Sequence, residues 1–252
     1  MENQKIIESI VQGMIYYSKF LAIPHHMEHY DDGMCAWISP KEGAEGASVV
    51  YKVCFGDKSD KAICQIIESY RGKGIPNMLF LTPLSTPKHI RNLLTSIGVE
   101  VSGGAHCMAL PLEKMAIDHW KDKKSSILVK RVDSKEQFYS WANLINDVLF
   151  DCIILDPEQY YPLCEDGKII CFLGYSDGEP VAASALLNEK GNAMLEFIAT
   201  KPEYRRKGFG TAVCKAAIEK MLDDGAHFIS LRGTPEGLFL YESLGFIKYF
   251  DF

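Results

Sequence analysis

The run Ile198-Ala199-Thr200-Lys201-Pro202-Glu203-Tyr204-Arg205-Arg206-Lys207-Gly208-Phe209-Gly210-Thr211 contains the chain's most distinctive chemistry. An apolar strand pattern ends, a basic turn follows, and two glycines stand at the mouth of a helix pattern. The first N–H groups of a helix have no internal partner, and the helix dipole places partial positive charge there. Glycines let an anion approach the backbone closely. Arg205, Arg206 and Lys207 add positive charge, so the site suits a pyrophosphate. Other phosphate motifs fit worse. The sequence lacks GxxxxGK[ST], and Val213 stands where a dinucleotide fingerprint needs its third glycine. Taken alone, a basic turn capping an ordinary helix reads the same way.

A second run, Tyr241-Glu242-Ser243-Leu244-Gly245-Phe246, lies about thirty residues downstream on a short helix leading into the last strand. Together the two runs resemble the GNAT superfamily of N-acetyltransferases. Arg205, Gly208 and Gly210 match its R/Q-x-x-G-x-G/A signature. Tyr241, Gly245 and Phe246 match its closing Y-x-x-x-G-F. Pro202, Glu203 and Tyr204 match the stretch before the signature. The resemblance covers residues 127–252.

The resemblance implies acetyl-CoA as cosubstrate and an amine of a small molecule or peptide as acceptor, with direct attack in a ternary complex. It implies that Ile198-Ala199-Thr200 holds the pantetheine arm, chiefly through the backbone of Ile198 and Thr200. The amides from Arg206 through Lys207, Gly208, Phe209 and Gly210 to Thr211 would hold the pyrophosphate. Tyr241 would protonate the leaving thiolate. The family often has Asn seven residues before this Tyr and Ala four before it. Here Thr234 and Gly237 take those places, and Thr234 keeps a hydrogen-bonding group. Glu196 is the candidate base: it stands in an apolar strand two residues before Ile198, hence on the same face of a regular strand. An ion-paired structural Glu196, with a water chain taking the proton, is the alternative. A non-catalytic acyl-CoA-binding regulator is the rival from another class.

The elements that must position these groups follow a β-α-β-β-β-α-β-α-β order from Ile127 onward. This implies an α/β (α+β) fold with a mixed, mostly antiparallel splayed sheet flanked by helices. Ser134 with Gln137 forms a capping-box pattern before the helix KEQFYSWANLINDVLF. The N-terminal half reads as a helix at 4–20, strands at 34–38 and 48–54, and a helix at 59–70. A strand at 77–81 and a helix opened by Thr86-Pro87 follow. Strand, Thr-Pro, helix and Ser-apolar-Gly-apolar recur at 77–99 and 227–246, which suggests a diverged duplication. Two related domains are expected: 1–120, a degenerate acetyltransferase-like unit, and 126–252, the catalytic one. The polar stretch 119–126 would divide them. In the N-terminal half Leu94 stands at the place of Tyr241, where it can pack but not donate a proton.

The net charge of −6 disfavours general nucleic-acid binding, which needs excess Lys and Arg. No run approaches a membrane span, and MENQKIIESI is amphipathic rather than signal-like. The eight cysteines form no CxxC pair and read as buried free thiols, so a cytoplasmic setting is expected. His25-His26-Met27-Glu28-His29 reads as a polar loop, and no metal is expected. A homodimer is compatible with this reading.

Overall fold

The computed structural model describes residues 2–23, 27–44, 49–72, 78–112, 127–189 and 192–251. It separates into two compact units, Met1–Cys107 with Tyr249–Phe252, and Met108–Lys248. The stretch 119–126, expected to divide the domains, lies outside the described residues.

The N-terminal unit carries helix α1 (Glu2–Leu21) and strands β1 (Met27–Asp31), β2 (Cys35–Pro40) and β3 (Val49–Val53). Helix α2 (Asp60–Gly72), β4 (Met78–Phe80), helix α3 (Ile90–Ser96) and β5 (Glu100–Ser102) follow. The five strands lie in sequence order. The first two pairings are antiparallel and the last two parallel. Helix α2 lays Ile63, Ile67 and Tyr70 on the sheet in a core with Trp37, Val50, Val53, Leu79 and Leu94. Two sequence expectations fail here. Residues 27–31 are a strand rather than a loop, so His29 has no helical partner four residues before it; His25 and His26 lie outside the described residues. Thr86-Pro87 does not open the helix, which starts at Ile90. Thr86 instead forms an isolated parallel bridge with Cys54.

In the C-terminal half β7 (Leu128–Arg131) leads to α4 (Lys135–Ile145), continued by a π-helical turn (Asn146–Phe150). The Ser134 Oγ accepts the Gln137 N–H, and the Gln137 side chain accepts the Asp133 N–H, so the capping box closes one residue early. Helix α5 (Pro157–Glu165) is an element beyond the expected β-α-β-β-β-α-β-α-β order. After it come β8 (Ile169–Ser176), β9 (Glu179–Glu189), β10 (Asn192–Thr200), α6 (Phe209–Asp223), β11 (Phe228–Gly233), α7 (Leu238–Ser243) and β12 (Ile247–Asp251).

The sheet order is β12-β6-β11-β10-β9-β8-β7, where β6 is His106–Pro111. A strand from before the expected boundary thus sits between β11 and β12. Its Met108, Leu110 and Leu112 neighbour pack with Leu195, Leu231, Ile218, Tyr241 and Phe246. The strands β7 to β10 pair antiparallel. Strands β10 and β11 pair in parallel over Ala193–Leu195 only. Beyond Leu195 they part, which gives the expected splay.

None of the eight cysteines is in a disulfide. Cys35, Cys107, Cys171 and Cys214 are buried as expected, but Cys54 and Cys152 are exposed and Cys64 and Cys164 half-buried. Among the described residues no helix is long and apolar enough to cross a membrane, and no His, Cys, Asp and Glu cluster could hold a metal ion.

Candidate active site

Where β10 leaves β11, a cavity of about 540 Å³ opens in the C-terminal unit, within the usual range for a small-molecule site. Its walls are the end of β10 (Ile198, Ala199, Thr200), the start of α6 (Gly208 to Thr211), and Gly237, Phe239, Leu240 and Tyr241 of the α7 region.

The start of α6 is built as the glycines suggested. Gly208 adopts φ +88° as the N-cap, and Arg206, two residues earlier, has φ +61°. These left-handed turns swing the chain from the short 3-10 helix Pro202–Tyr204 into α6. The first helical bond runs from the Ala212 N–H to the Gly208 carbonyl. The amides of Phe209, Gly210 and Thr211 therefore have no intrahelical acceptor, and all three residues line the cavity. A Cβ at Gly210 would touch Thr200 Oγ1 at 3.4 Å and Leu240 Cδ2 at 3.5 Å, so this turn already fits closely against both neighbouring walls.

The three basic residues behave differently. The Arg205 Nε donates to the Thr200 carbonyl at 3.1 Å, which fastens the turn to the strand end and occupies a carbonyl expected to face the pantetheine arm. Arg205 and Arg206 both line the cavity. Lys207 is not among the lining residues; its Nζ lies 5.3 Å from the Tyr204 ring centre, a cation–π geometry.

Tyr241 lines the cavity while 6% exposed. Two glycines hold its ring. A Cβ at Gly237 would lie 2.6 Å from Cε2 and 3.1 Å from Oη, and one at Gly233 would lie 2.6 Å from Cε2. Gly237 in place of the family's frequent Ala is thus a steric requirement of this ring position. Burial raises the phenol pKa well above its ordinary value, with smaller contributions from Cys214 and Glu196. The hydroxyl stays protonated and available as a donor. Burial also pushes the Cys214 thiol up to about 12. Thr234 lines the cavity with Glu236. Glu236's own amide and the Thr234 hydroxyl donate to its carboxylate, holding its pKa below the ordinary value.

Glu196 is placed differently from the regular-strand expectation. It is 7% exposed, absent from the cavity lining, and accepts the Arg232 Nε at 2.9 Å. Burial raises its pKa, and the guanidinium opposes that rise. The cause lies in β10. The register jumps from Glu196 opposite Ala185 to Ala199 opposite Ala183, and Phe197 has φ +54°. This β-bulge breaks the alternation that would have placed Glu196 and Ile198 on one face.

Sequence reasoning missed the wall formed by Val148 and Leu149. The apolar spacing of KEQFYSWANLINDVLF puts Val148 on one face with Phe138, Trp141, Leu144 and Ile145, a core stripe. The π-helical turn changes the helical phase after Ile145, so Val148 and Leu149 line the cavity instead. The following loop is fixed by buried Asn146, whose amide donates to the Leu155 carbonyl at 2.9 Å and accepts from the Ile154 and Leu155 N–H groups.

Residues 126–246 match the model of the acetyltransferase (GNAT) family. The whole fold aligns with a GCN5-related N-acetyltransferase from Kribbella flavida at TM-score 0.65 and 16% identity, over 94% of this chain and 92% of that one. A functionally unknown conserved protein from Staphylococcus epidermidis aligns at TM-score 0.57 and 11% identity, over 87% of this chain and 88% of that one. Such identities speak to fold alone. No curated protein sequence matches the chain.

Proposed function

Residues 126–246 form an acetyltransferase domain of the GNAT family, and from that premise we propose that the chain transfers acetyl from acetyl-CoA to a primary amine by direct attack. One observation carries the reading: the unpaired amides at the start of α6 and the Tyr241 phenol line the same cavity. The amides of Phe209, Gly210 and Thr211, with Arg206, bind the pyrophosphate. Ile198 and Ala199 flank the pantetheine arm. The amine nitrogen attacks the thioester carbonyl carbon, a C–N bond forms and the C–S bond breaks. Tyr241 gives its proton to the departing sulfur.

In water a phenol near 10 and a thiol near 8.5 differ by about 1.5 units, roughly 2 kcal/mol. Burial raises both, as Tyr241 and Cys214 illustrate, so the mismatch stays small and transfer to a desolvated thiolate remains feasible.

The proton lost by the amine goes to water rather than to Glu196, which is held by Arg232. Glu196→Gln should lower kcat by less than about tenfold, since a working general base contributes 10²- to 10⁴-fold. A steady-state loss of hundredfold or more would return Glu196 to the base's role.

The acceptor side of the lining is apolar, with Val148 and half-exposed Leu149; among the described lining residues Glu236 is the one acidic group. This favours an amine with an apolar flank over a polycation.

The N-terminal unit reads as a related, degenerate domain. After β3, the Phe55 N–H donates to the Thr86 carbonyl, the Thr86 N–H to Val53, and the Gly56 N–H to Thr86 Oγ1. Thr86 thereby fills the position beside the strand end that stays open at the end of β10. Asp57 and Asp60 stand before and at the start of α2, interleaved with Lys58 and Lys61, so this turn lacks the net positive charge of Arg205-Arg206-Lys207. One acetyl-CoA per chain is expected.

Isothermal titration with acetyl-CoA, paired with thiol release over a panel of arylalkyl amines, polyamines and peptides, tests the reading. Binding with turnover on an apolar-flanked amine supports it. Binding without turnover on any acceptor would make the chain an acyl-CoA-binding regulator, and absence of binding would remove the cradle.

A further inference from the structure

The apolar spacing of α4 asks for a regular helix running on through Val148. The chain instead makes a π-helical turn at Asn146–Phe150. A π-turn holds one residue more than an α-turn, which advances the later side chains by about 100°. Val148 and Leu149 line the cavity as a result, and the turn lies against β10, the strand that carries Ile198. The first residue of the turn, Asn146, is a buried polar side chain, 4% exposed. Its Oδ1 accepts the Ile154 N–H at 3.1 Å and the Leu155 N–H at 2.9 Å, and its Nδ2 donates to the Leu155 carbonyl at 2.9 Å. Two N–H groups on one atom identify that atom as the amide oxygen. These three bonds close the loop 147–153 on the helix end. The loop reverses at Asp151, whose φ of +52° is a costly left-handed conformation for a residue other than glycine. Beyond it the chain is anchored: Leu155 is fully buried, and Asp156 caps α5 by accepting the Glu158 N–H.

We propose that Asn146 is a positioning residue for acceptor recognition: its clasp on residues 154 and 155 holds the π-turn, and the π-turn presents Val148 and Leu149 as the wall against which the acceptor's apolar flank packs. This rests on the acetyltransferase reading above. The competing state is the regular α-helix that the apolar spacing favours. In that state Val148 rejoins the face of Leu144 and Ile145, and the wall withdraws from the cavity. The clasp decides between the two, because leaving the backbone N–H and carbonyl of buried Leu155 without partners is costly. The pyrophosphate cradle belongs to α6 on the opposite wall and is built by its own local turns. Acceptor recognition should therefore depend on Asn146, and cofactor affinity should not.

Kinetics and hydrogen exchange test this in the full chain. Asn146→Ala removes all three bonds. Its KM for an arylalkyl amine should rise by about tenfold or more. Its preference for that amine over a short alkyl amine, read as the ratio of kcat/KM values, should fall by about tenfold or more. Acetyl-CoA affinity should change by less than about threefold, since the cradle is untouched. In the same variant the amides at 147–155 should exchange about tenfold faster or more. Asn146→Asp, which still accepts both N–H groups, should fall between wild type and alanine in preference and in exchange. Ile169→Ala, a core change in β8 outside the cavity lining, should lower Tm and leave the amine preference alone. A folded Asn146→Ala protein that keeps either the wild-type preference or the wild-type exchange overturns the proposal, as does an equal loss of preference in Ile169→Ala. Should Asn146→Ala not fold, the wild-type protein still decides. One opening should release the amides at 148–150 and at 154–155 together, so exchange rates about tenfold apart or more overturn the proposal. The exchange readout needs no turnover. Failure of the acetyltransferase reading is thus seen separately, as wild-type protein that turns over no acceptor, while exchange still shows whether Asn146 holds the turn.

Discussion

Gly208→Val should fold and lose acetyl-CoA, with affinity reduced by about hundredfold or more, equivalent to about 2.7 kcal/mol. The position has φ +88°, where a β-branched residue is strained by about 1–3 kcal/mol. Crowding is not the cause, since a Cβ there would meet only Ile127 Cδ1 at 3.6 Å, an ordinary contact. The chain relieves the strain by rotating the turn, and rotation moves the amides of Phe209, Gly210 and Thr211 off the ligand. Each hydrogen bond from an amide to a charged phosphate contributes about 1.5–3 kcal/mol, so misdirecting two of them accounts for the loss. Gly208→Ala should sit between wild type and valine. Calorimetric titration gives the affinities, and a thermal melt shows whether the fold persists. A folded valine variant within threefold of wild-type affinity would mean that the ligand is held elsewhere.

Tyr241→Phe should lower kcat by about hundredfold with acetyl-CoA affinity nearly unchanged, the lower end of what a general acid contributes. Gly237→Ala should reproduce much of that loss with the hydroxyl still present. Its new Cβ would lie 2.6 Å from Cε2 of the ring, a distance that forces the ring or the start of α7 to move. Overpacking of this kind costs about 1–3 kcal/mol of stability, so a lower Tm should accompany the lost rate. The double variant should be little slower than Tyr241→Phe alone, because both changes remove the same donor from the same place. Additive losses would mean that Gly237 acts on something other than Tyr241. The phenol pKa lies above its ordinary value, so the donor form persists through neutral and mildly alkaline pH. Deprotonation of Tyr241 should impose no falling limb on the rate below about pH 10. Such a limb in the wild type, absent in Tyr241→Phe, would show that the hydroxyl is more exposed to water than its burial indicates.

The left-handed turn into α6 was legible because its cause is local. Gly208 and Gly210 at the start of a helical pattern, after a basic turn, fix backbone dihedrals and unpaired amides within a few residues. The same holds for the Ser134 cap and for the left-handed stop at Gly225. Helix α5 escaped notice although Asp156 caps it and Pro157 opens it; an Asp-Pro pair just before a helical pattern was the available signal. The wall at Val148 and Leu149 was hidden by a change of helical phase that the apolar spacing does not record.

By itself the sequence determined a GNAT-type domain, its glycine-bearing turn into α6 and the tyrosine downstream, since each depends on residues near one another in the chain. Tertiary structure decided that Glu196 faces Arg232 instead of the cavity, that β6 from the N-terminal half enters the second sheet, and that Tyr241 rests against Gly233 and Gly237. A bulge and a strand insertion are set by partners remote in sequence, and the ring position of Tyr241 by how the end of β11 folds back on α7. Their identity depends on which surfaces meet when the sheet closes, and side-chain periodicity along one segment carries no record of that meeting.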